Sequence, residues 1–410
     1  MTAHGPLACA APPMTTLPPP PRRDAVNPES FRLPPISVSP RAGAVDSRAP
    51  RASPPNVPPG YPFKPAGATI RLPVRIVSLL PSATEILLAI TGRADHPLAT
   101  LVGRSHECDW PPDPALARLP VLIAQRTRFE SSRQIDAAVR ESLRENRSLY
   151  TLDSALLASL RPDLIITQDL CEVCSIDLDT VRGVAAAMTP TPRILSLNPA
   201  TVEDVLDDIL RVGEAIGGGF SAAAANTAVL LRERLFRAEE FVTPHVEGPN
   251  VAFLEWTNPL FIGGHWTPQL IERAGGRHPL NPTVESPGSG AAAGPIGQSL
   301  RAAGKSISIP PQVLVASRPD VVLICPCGLS LDQAWRETEA ISLTLRGRQG
   351  RGWWHWLPAV QNSRVAVIDG SHMFNRPGPR LIDAFEFLVG YLNDRPELIP
   401  SDFPWRPWRV

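Results

Sequence analysis

Five consecutive residues, Ser105-His106-Glu107-Cys108-Asp109, place an imidazole, two carboxylates and a thiol in one short stretch. Imidazole and thiolate are groups that transition metals take from proteins. The alternative is that His106 and Asp109 hydrogen-bond and cap a loop ahead of Pro111 and Pro112. Cys171 and Cys174 form a Cys-x-x-Cys pair, which binds zinc, cycles as a disulfide, or does neither. Cys325 and Cys327 are separated by one proline, a poor spacing for a zinc knuckle. His106, Cys108, Cys171 and Cys174 are thus the candidate metal ligands, against the reading that small residues simply line tight loops.

Both cysteine loops follow the same phrase. Arg161-Pro162-Asp163 runs into the apolar stretch 164–166, and Arg318-Pro319-Asp320 runs into 321–324. Each copy predicts a helix end, a Pro-Asp turn, a buried β-branched strand and a cysteine loop at the strand's carboxyl end. Ligands of open parallel sheets sit outside the carboxyl ends of the strands. Two such halves therefore predict two lobes facing each other across one cleft that takes a small molecule.

The remaining pattern supplies the frame. Strands are expected at 75–80, 99–103, 194–197, 250–256 and 365–368. Ser82 and Glu85 have capping-box spacing at a helix start, and Thr201 with Asp204 repeats the signal. Two consecutive helices through 201–241, with no strand between them, predict a backbone spanning both lobes. Thr267-Pro268 reads as a cap followed by proline at the first helical position, and 380–392 as a closing amphipathic helix. The fold class expected is α/β: two Rossmann-like lobes with central, mostly parallel sheets. A first lobe at 73–200, a helical bridge at 201–242 and a second lobe at 243–398 follow, with a flexible glycine-rich insertion at 281–304 and a tail at 399–410.

Composition narrows the function. Forty basic residues balance forty acidic ones, so no footprint for nucleic acid or an anionic membrane is present. No run approaches the ~18 apolar residues of a membrane span, and a soluble chain is expected. The first 72 residues hold 18 of the 48 prolines, a composition that cannot offset its ordering entropy, so this segment is expected to be disordered. It shows no secretory signal, and its Arg, Ser and Ala content suits an organelle transit peptide. A cytoplasmic or organellar compartment is therefore expected over a periplasmic one. No phosphate-binding glycine loop, nucleophile elbow or His-Glu-x-x-His motif supports an enzyme.

Five ordered motifs carry a resemblance: Ser105 to Asp109, Gln168-Asp-Leu-Cys171-Glu-Val-Cys174, Gly264-His265-Trp266, Pro326-Cys327-Gly328 and Phe374-Asn375-Arg376-Pro-Gly. With the strand-and-cap 77–85, they resemble the periplasmic-binding-protein family for vitamin B12 and iron chelates, of the class with a rigid helical bridge, and within it a B12-binding-protein-like subgroup. The resemblance covers roughly residues 74–393 and implies non-catalytic binding of a corrinoid or related tetrapyrrole chelate between the lobes. It further implies a monomer that partners an ABC transporter permease only if it is exported. The long proline-rich segment and the 281–304 insertion depart from the family core.

On this reading Ser82, His106, Glu107, Cys108, Asp109, Trp110, Gln168, Cys171, Cys174, Glu255, Trp256, His265, Trp266, Cys327, Gly328, Phe374, Asn375 and Arg376 are the candidate ligand-binding residues. Indole rings would cover a flat macrocycle, and Arg376 could fork onto its carboxylates, amides or phosphate. Two alternatives belong to other classes. One is a metal- or thiol-dependent enzyme built on the His106/Cys108 loop and Cys171/Cys174. The other is a metal or corrinoid chaperone that works without a transporter.

Overall fold

The computed structural model describes residues 73–126, 131–145, 148–169, 176–243, 247–285, 301–344 and 352–409, all within one unit, Thr69–Val410. The proline-rich segment 1–72, the pair Cys171 and Cys174, and most of the 281–304 insertion lie outside the described residues.

The first sheet is built from β1 (Val74–Ser78), β2 (Asp95–His96), β3 (Ala99–Ser105), β4 (Val121–Gln125), β5 (Tyr150–Leu152), β6 (Leu164–Thr167) and β7 (Arg193–Ser196). Their order is β5-β4-β3-β1-β6-β7, with β2 on β3; the run from β4 to β7 is parallel. Its helices are α1 (Pro81–Thr91), α2 (Pro114–Ala117), α3 (Ser132–Glu145), α4 (Ser154–Leu160) and α5 (Leu178–Ala186). Two long helices follow, α6 (Val202–Ile216) and α7 (Phe220–Glu239).

The second half contains β8 (Val251–Thr257), β9 (Leu260–Ile262), β10 (Val284–Glu285), β11 (Arg301–Ala302), β12 (Ile307–Ser308), β13 (Val321–Ile324), β14 (Val365–Ile368) and β15 (Trp405–Trp408). Its sheet order is β12-β9-β8-β13-β14-β15, while β10 and β11 pair separately. Strands β8, β13 and β14 are parallel. The helices are α8 (Trp266–Arg273), α9 (Pro311–Ala316), α10 (Leu331–Thr344), α11 (Pro358–Gln361) and α12 (Leu381–Leu392).

The repeated phrase is a repeated piece of backbone. Arg161 and Arg318 both take a left-handed φ, 44° and 46°. Asp163 N–H donates to the Arg75 carbonyl, and Arg75 N–H donates back to the Asp163 carboxylate, each at 2.8 Å. Asp320 and Asn250 make the same reciprocal pair, again at 2.8 Å. The aspartate thus ties each buried strand to the start of its parallel neighbour, β6 to β1 and β13 to β8.

Packing explains why the lobes are held together. One apolar core runs under both sheets, joining Ile76, Ile86 and Leu164 of the first half to Val251, Phe253 and Phe385 of the second through Val205, Ile209 and Leu235 of the bridge. Thr201 caps α6 in a complete capping box with Asp204. Gly213 lets α7 close on α6, since a Cβ there would lie 2.3 Å from that of Ala224. The second lobe is pinned to the bridge by Arg273, whose guanidinium reaches Glu203 of α6 at 2.5 Å and Glu239 of α7 at 2.7 Å.

Three local expectations are corrected. Ser82 and Glu85 form no capping box: α1 has no side-chain cap, and Glu85 is buried against Arg376 instead. Helix α8 starts at Trp266 with His265 as its N-cap, so Thr267 is inside it. Residues 399–410 are not simply a tail, because β15 closes an edge of the second sheet antiparallel to β14.

Candidate functional site

The ends of β1, β4 and β6 face those of β8, β13 and β14 across a cleft. The first lobe contributes Ser82, Glu107, Gln125, Tyr150 and Gln168, along with Ile135 and Val139 of α3. Trp256, Cys327, Gly328, Ser371, Asn375 and Arg376 line it from the second. A narrow space of about 140 Å³ lies within a wider, solvent-open hollow of about 910 Å³.

Loop backbone shapes the second-lobe wall. Gly328 has φ of 78° and donates its N–H to the Gly370 carbonyl at 3.2 Å. Gly370 itself has no room for a side chain, because a Cβ would stand 1.9 Å from the Pro326 oxygen. Asn375 donates to the Gly370 carbonyl at 2.8 Å, which fixes the turn that presents Ser371 and Arg376.

A charged cluster forms the junction between the lobes. Arg376, only 5% exposed, reaches back into the first lobe, to Glu85 at 3.2 Å and Asp109 at 2.8 Å. His372 lies 3.1 Å from Asp109 and 3.3 Å from Asp369. Burial pushes the Glu85 carboxyl up to about 7 against the pull of Arg376 and Arg380. Hydrogen bonds from His372 and Arg376 hold Asp109 well below the usual carboxylate range, although burial opposes them. Hydrogen bonding to Asp109 and then Asp369 pushes His372 up to about 9.

A pH dependence follows. His372 titrates at 6.5 when unperturbed, so the folded state retains a proton that the unfolded state releases. Its contribution is full below about 6.5 and is lost as pH rises through about 9. Glu85 has the same sign in a lower window, between 4.5 and about 7, whereas the contribution of Asp109 is lost only as pH falls into its depressed range. The melting temperature should therefore drop between pH 6.5 and 9, and His372→Gln should flatten that limb by on the order of 2 °C or more. Scanning fluorimetry of both proteins checks this. An unchanged slope in the variant would place its source elsewhere.

The structure divides the expected site residues. Ser82, Glu107, Gln168, Trp256, Cys327, Gly328, Asn375 and Arg376 meet at the cleft. His106, Cys108 and Asp109 instead border a separate hollow with Arg104 and Asp113. Cys108 lies in the first-lobe core, where it accepts a hydrogen bond from Thr84 at 3.0 Å and burial pushes its thiol up to about 11. His106 Nε2 is buried without a hydrogen-bond partner, and its ring centroid lies 5.8 Å from that of Tyr150.

Trp110 packs under the Arg380 guanidinium at 4.2 Å. Trp266 is a core residue whose indole N–H donates to the Phe374 carbonyl at 2.6 Å, and Phe374 is buried edge-on to Phe253. Glu255 takes a hydrogen bond from Ser306, and His265, with φ of 55°, stands at the N-cap position of α8 without a side-chain cap. None of these five lines the cleft. Among the described residues no group of three or more His, Cys, Asp or Glu side chains is placed to hold a metal, and the half of the expected set formed by Cys171 and Cys174 lies outside them.

The sequence reading missed Gln125, Ile135, Val139, Tyr150 and Ser371. The spacing of Ser132, Ile135, Val139 and Ser142 along one helical face was the available signal.

No protein-family model matches the chain, and no curated protein does either. Solved structures do match. A periplasmic heme-binding protein from Pseudomonas aeruginosa superposes with a TM-score of 0.54 at 20% identity, covering 83% of this chain and 100% of that one. The periplasmic heme-binding protein RhuT from Roseiflexus sp. RS-1 gives 0.53 at 20% identity, covering 79% and 99%. BhuT, solved in complex with two hemes, gives 0.53 at 21% identity, covering 78% and 98%. The chain has the two-lobed, helix-bridged fold of the class III periplasmic binding proteins. These comparisons also correct the expected compartment: the matched proteins are described as periplasmic, so the cytoplasmic or organellar expectation does not stand. That expectation rested on seeing no secretory signal and on the Arg, Ser and Ala content of the first 72 residues, and such composition does not set a compartment.

Proposed function

We propose that this chain binds a flat metal chelate of the tetrapyrrole class, heme or a corrinoid, in the interlobe cleft and performs no chemistry on it. The observation that carries this reading is the convergence of strand-end residues from both sheets on one cleft, with Trp256, Tyr150, Ile135 and Val139 as apolar surface and Gln125, Gln168, Ser371 and Cys327 as polar points. Ligand sites combine mostly apolar walls with a few placed polar groups in this way. The Trp256 indole N–H is buried without a hydrogen-bond partner, as suits a ring that awaits an acceptor.

The fold matches add support, because proteins with this architecture include ones described as heme-binding. The corrinoid reading rests on the sequence motifs. A role beside an ABC transporter permease, with the chain as a monomer, belongs to the same proposal; no helix among the described residues is long and apolar enough to cross a membrane.

Optical titration with hemin and, separately, with cyanocobalamin tests the reading. One of the two should bind at one or two equivalents. Trp256→Ala should weaken that binding by about tenfold or more, since aromatic anchors commonly contribute at least ~1.4 kcal/mol. Binding of neither probe, or an affinity indifferent to Trp256, would overturn it.

A further inference from the structure

Helix α3 belongs to the first lobe by sequence but is held by the second. Ser132, at its first turn, is fully buried because it meets Thr257 at the end of β8. Thr257 N–H donates to the Ser132 oxygen at 3.4 Å, and the two hydroxyls are 3.3 Å apart. The Thr257 hydroxyl donates in turn to the Glu337 carboxylate of α10. With that proton committed, Ser132 is the donor between the two hydroxyls, and the three residues form a latch across the cleft. Helix α3 packs against β8 of the second sheet.

Behind the latch, Ile135 and Val139 face the cleft, while Arg133, Gln134, Arg140 and Glu141 face solvent. With α3 seated, the space between the walls is about 140 Å³, short of the roughly 300–1,000 Å³ that organic ligands occupy. The bridge offers no easy way to widen it. A shared core, the Arg273 ion triad and the Arg376 cluster hold the lobes at one separation.

We propose that α3 is a strap, latched to the second lobe through Ser132, Thr257 and Glu337, that lifts to admit the ligand and then closes Ile135 and Val139 onto its flat face. This deepens the binding assignment, and it rests on the cleft being the binding site. The lobes need not close in a hinge motion, because the strap supplies access and sets the size of what fits. The ligand it selects is a flat, largely apolar macrocycle with one face available to two aliphatic side chains.

Cys327 lines the cleft beneath α3 and is partly exposed, so its alkylation reads access without any ligand. In the full-length protein, Thr257→Val removes both hydroxyl bonds of the latch and leaves only the long Thr257 N–H contact to Ser132, and the pair Ser132→Cys with Thr257→Cys allows it to be locked by oxidation. Peptide mapping by mass spectrometry then follows Cys327 specifically. Thr257→Val should speed its reaction with a bulky fluorescent maleimide by about fivefold or more, with little change for iodoacetamide, because access to the thiol sets the rate. The oxidised double variant should slow the bulky reagent about tenfold, and a reductant should restore it.

Association of whichever of hemin or cyanocobalamin binds, measured in parallel, should slow on oxidation. If Cys327 responds but neither hemin nor cyanocobalamin binds to any of the proteins, the strap stands and the ligand reading fails. If either probe binds alike to all of them and Cys327 reacts at one rate throughout, the strap is wrong and the binding reading survives.

Discussion

Replacing Arg376 with methionine should lower the free energy of unfolding by about 3–5 kcal/mol, because it strips the partner from a buried carboxylate. Glu85 is 4% exposed, and Arg376 lies on it at 3.2 Å. The second Glu85 oxygen is buried with no hydrogen-bond partner, so the loss of Arg376 leaves the whole group uncompensated. Burial already raises its titration to about 7 with the arginine in place; without it, the carboxyl should take up a proton at higher pH still. Asp109→Asn should cost far less, about 1 kcal/mol or below, since that side chain is half exposed. The pair Arg376→Met with Glu85→Leu should recover much of the loss, as replacing both charges by apolar groups of similar volume is often near neutral. Urea unfolding of the four proteins at pH 7 measures this. A single variant as stable as the parent would mean that the lobes do not depend on this cluster.

Arg273→Met should be as damaging, about 3–5 kcal/mol, for the same physical reason in a different place. The Arg273 side chain is 1% exposed and holds both Glu203 and Glu239. Those carboxylates sit on separate bridge helices, so the arginine fixes α8 and the second lobe to α6 and α7 at once. The variant should therefore do more than lose stability. Amide exchange should rise along α8 and its contacts with the bridge before the first sheet opens, because that interface is the one released. Uniform exchange across both lobes, or a loss under 1 kcal/mol, would show that the shared apolar core fixes the lobes without the ion triad.

The parts of the fold legible in the sequence were those written in local patterns. The apolar runs at 164–167 and 321–324 and the Thr201 capping box act within a few residues of themselves, and each formed as expected; the Arg-Pro-Asp turn formed too, although its aspartate reaches a distant strand that the spacing could not name. What misled was a local spacing claimed by a distant partner. Ser82 and Glu85 stand where a capping box would, yet Arg376, 291 positions along the chain, takes the carboxylate. The Ser105 to Asp109 run was placed correctly at the end of a strand, but spacing cannot say which way each side chain turns. Cys108 turns into the core, Asp109 crosses to the second lobe, and only Glu107 reaches the cleft. Helix α3 was hidden by its charged outer face, which outweighs two aliphatic residues in any average. Strand β15 is four residues long and carries Pro407, which an edge strand tolerates and a central one does not.

The account turns on where the ligand sits, and the anomalous scattering of its metal locates that directly. Crystals grown with whichever of hemin or cyanocobalamin binds should show a single cluster of iron or cobalt signal between Trp256 and the inner face of α3, with Ile135 and Val139 on the macrocycle. Metal signal at the hollow beside His106, or only on the outer surface of the protein, would contradict the account.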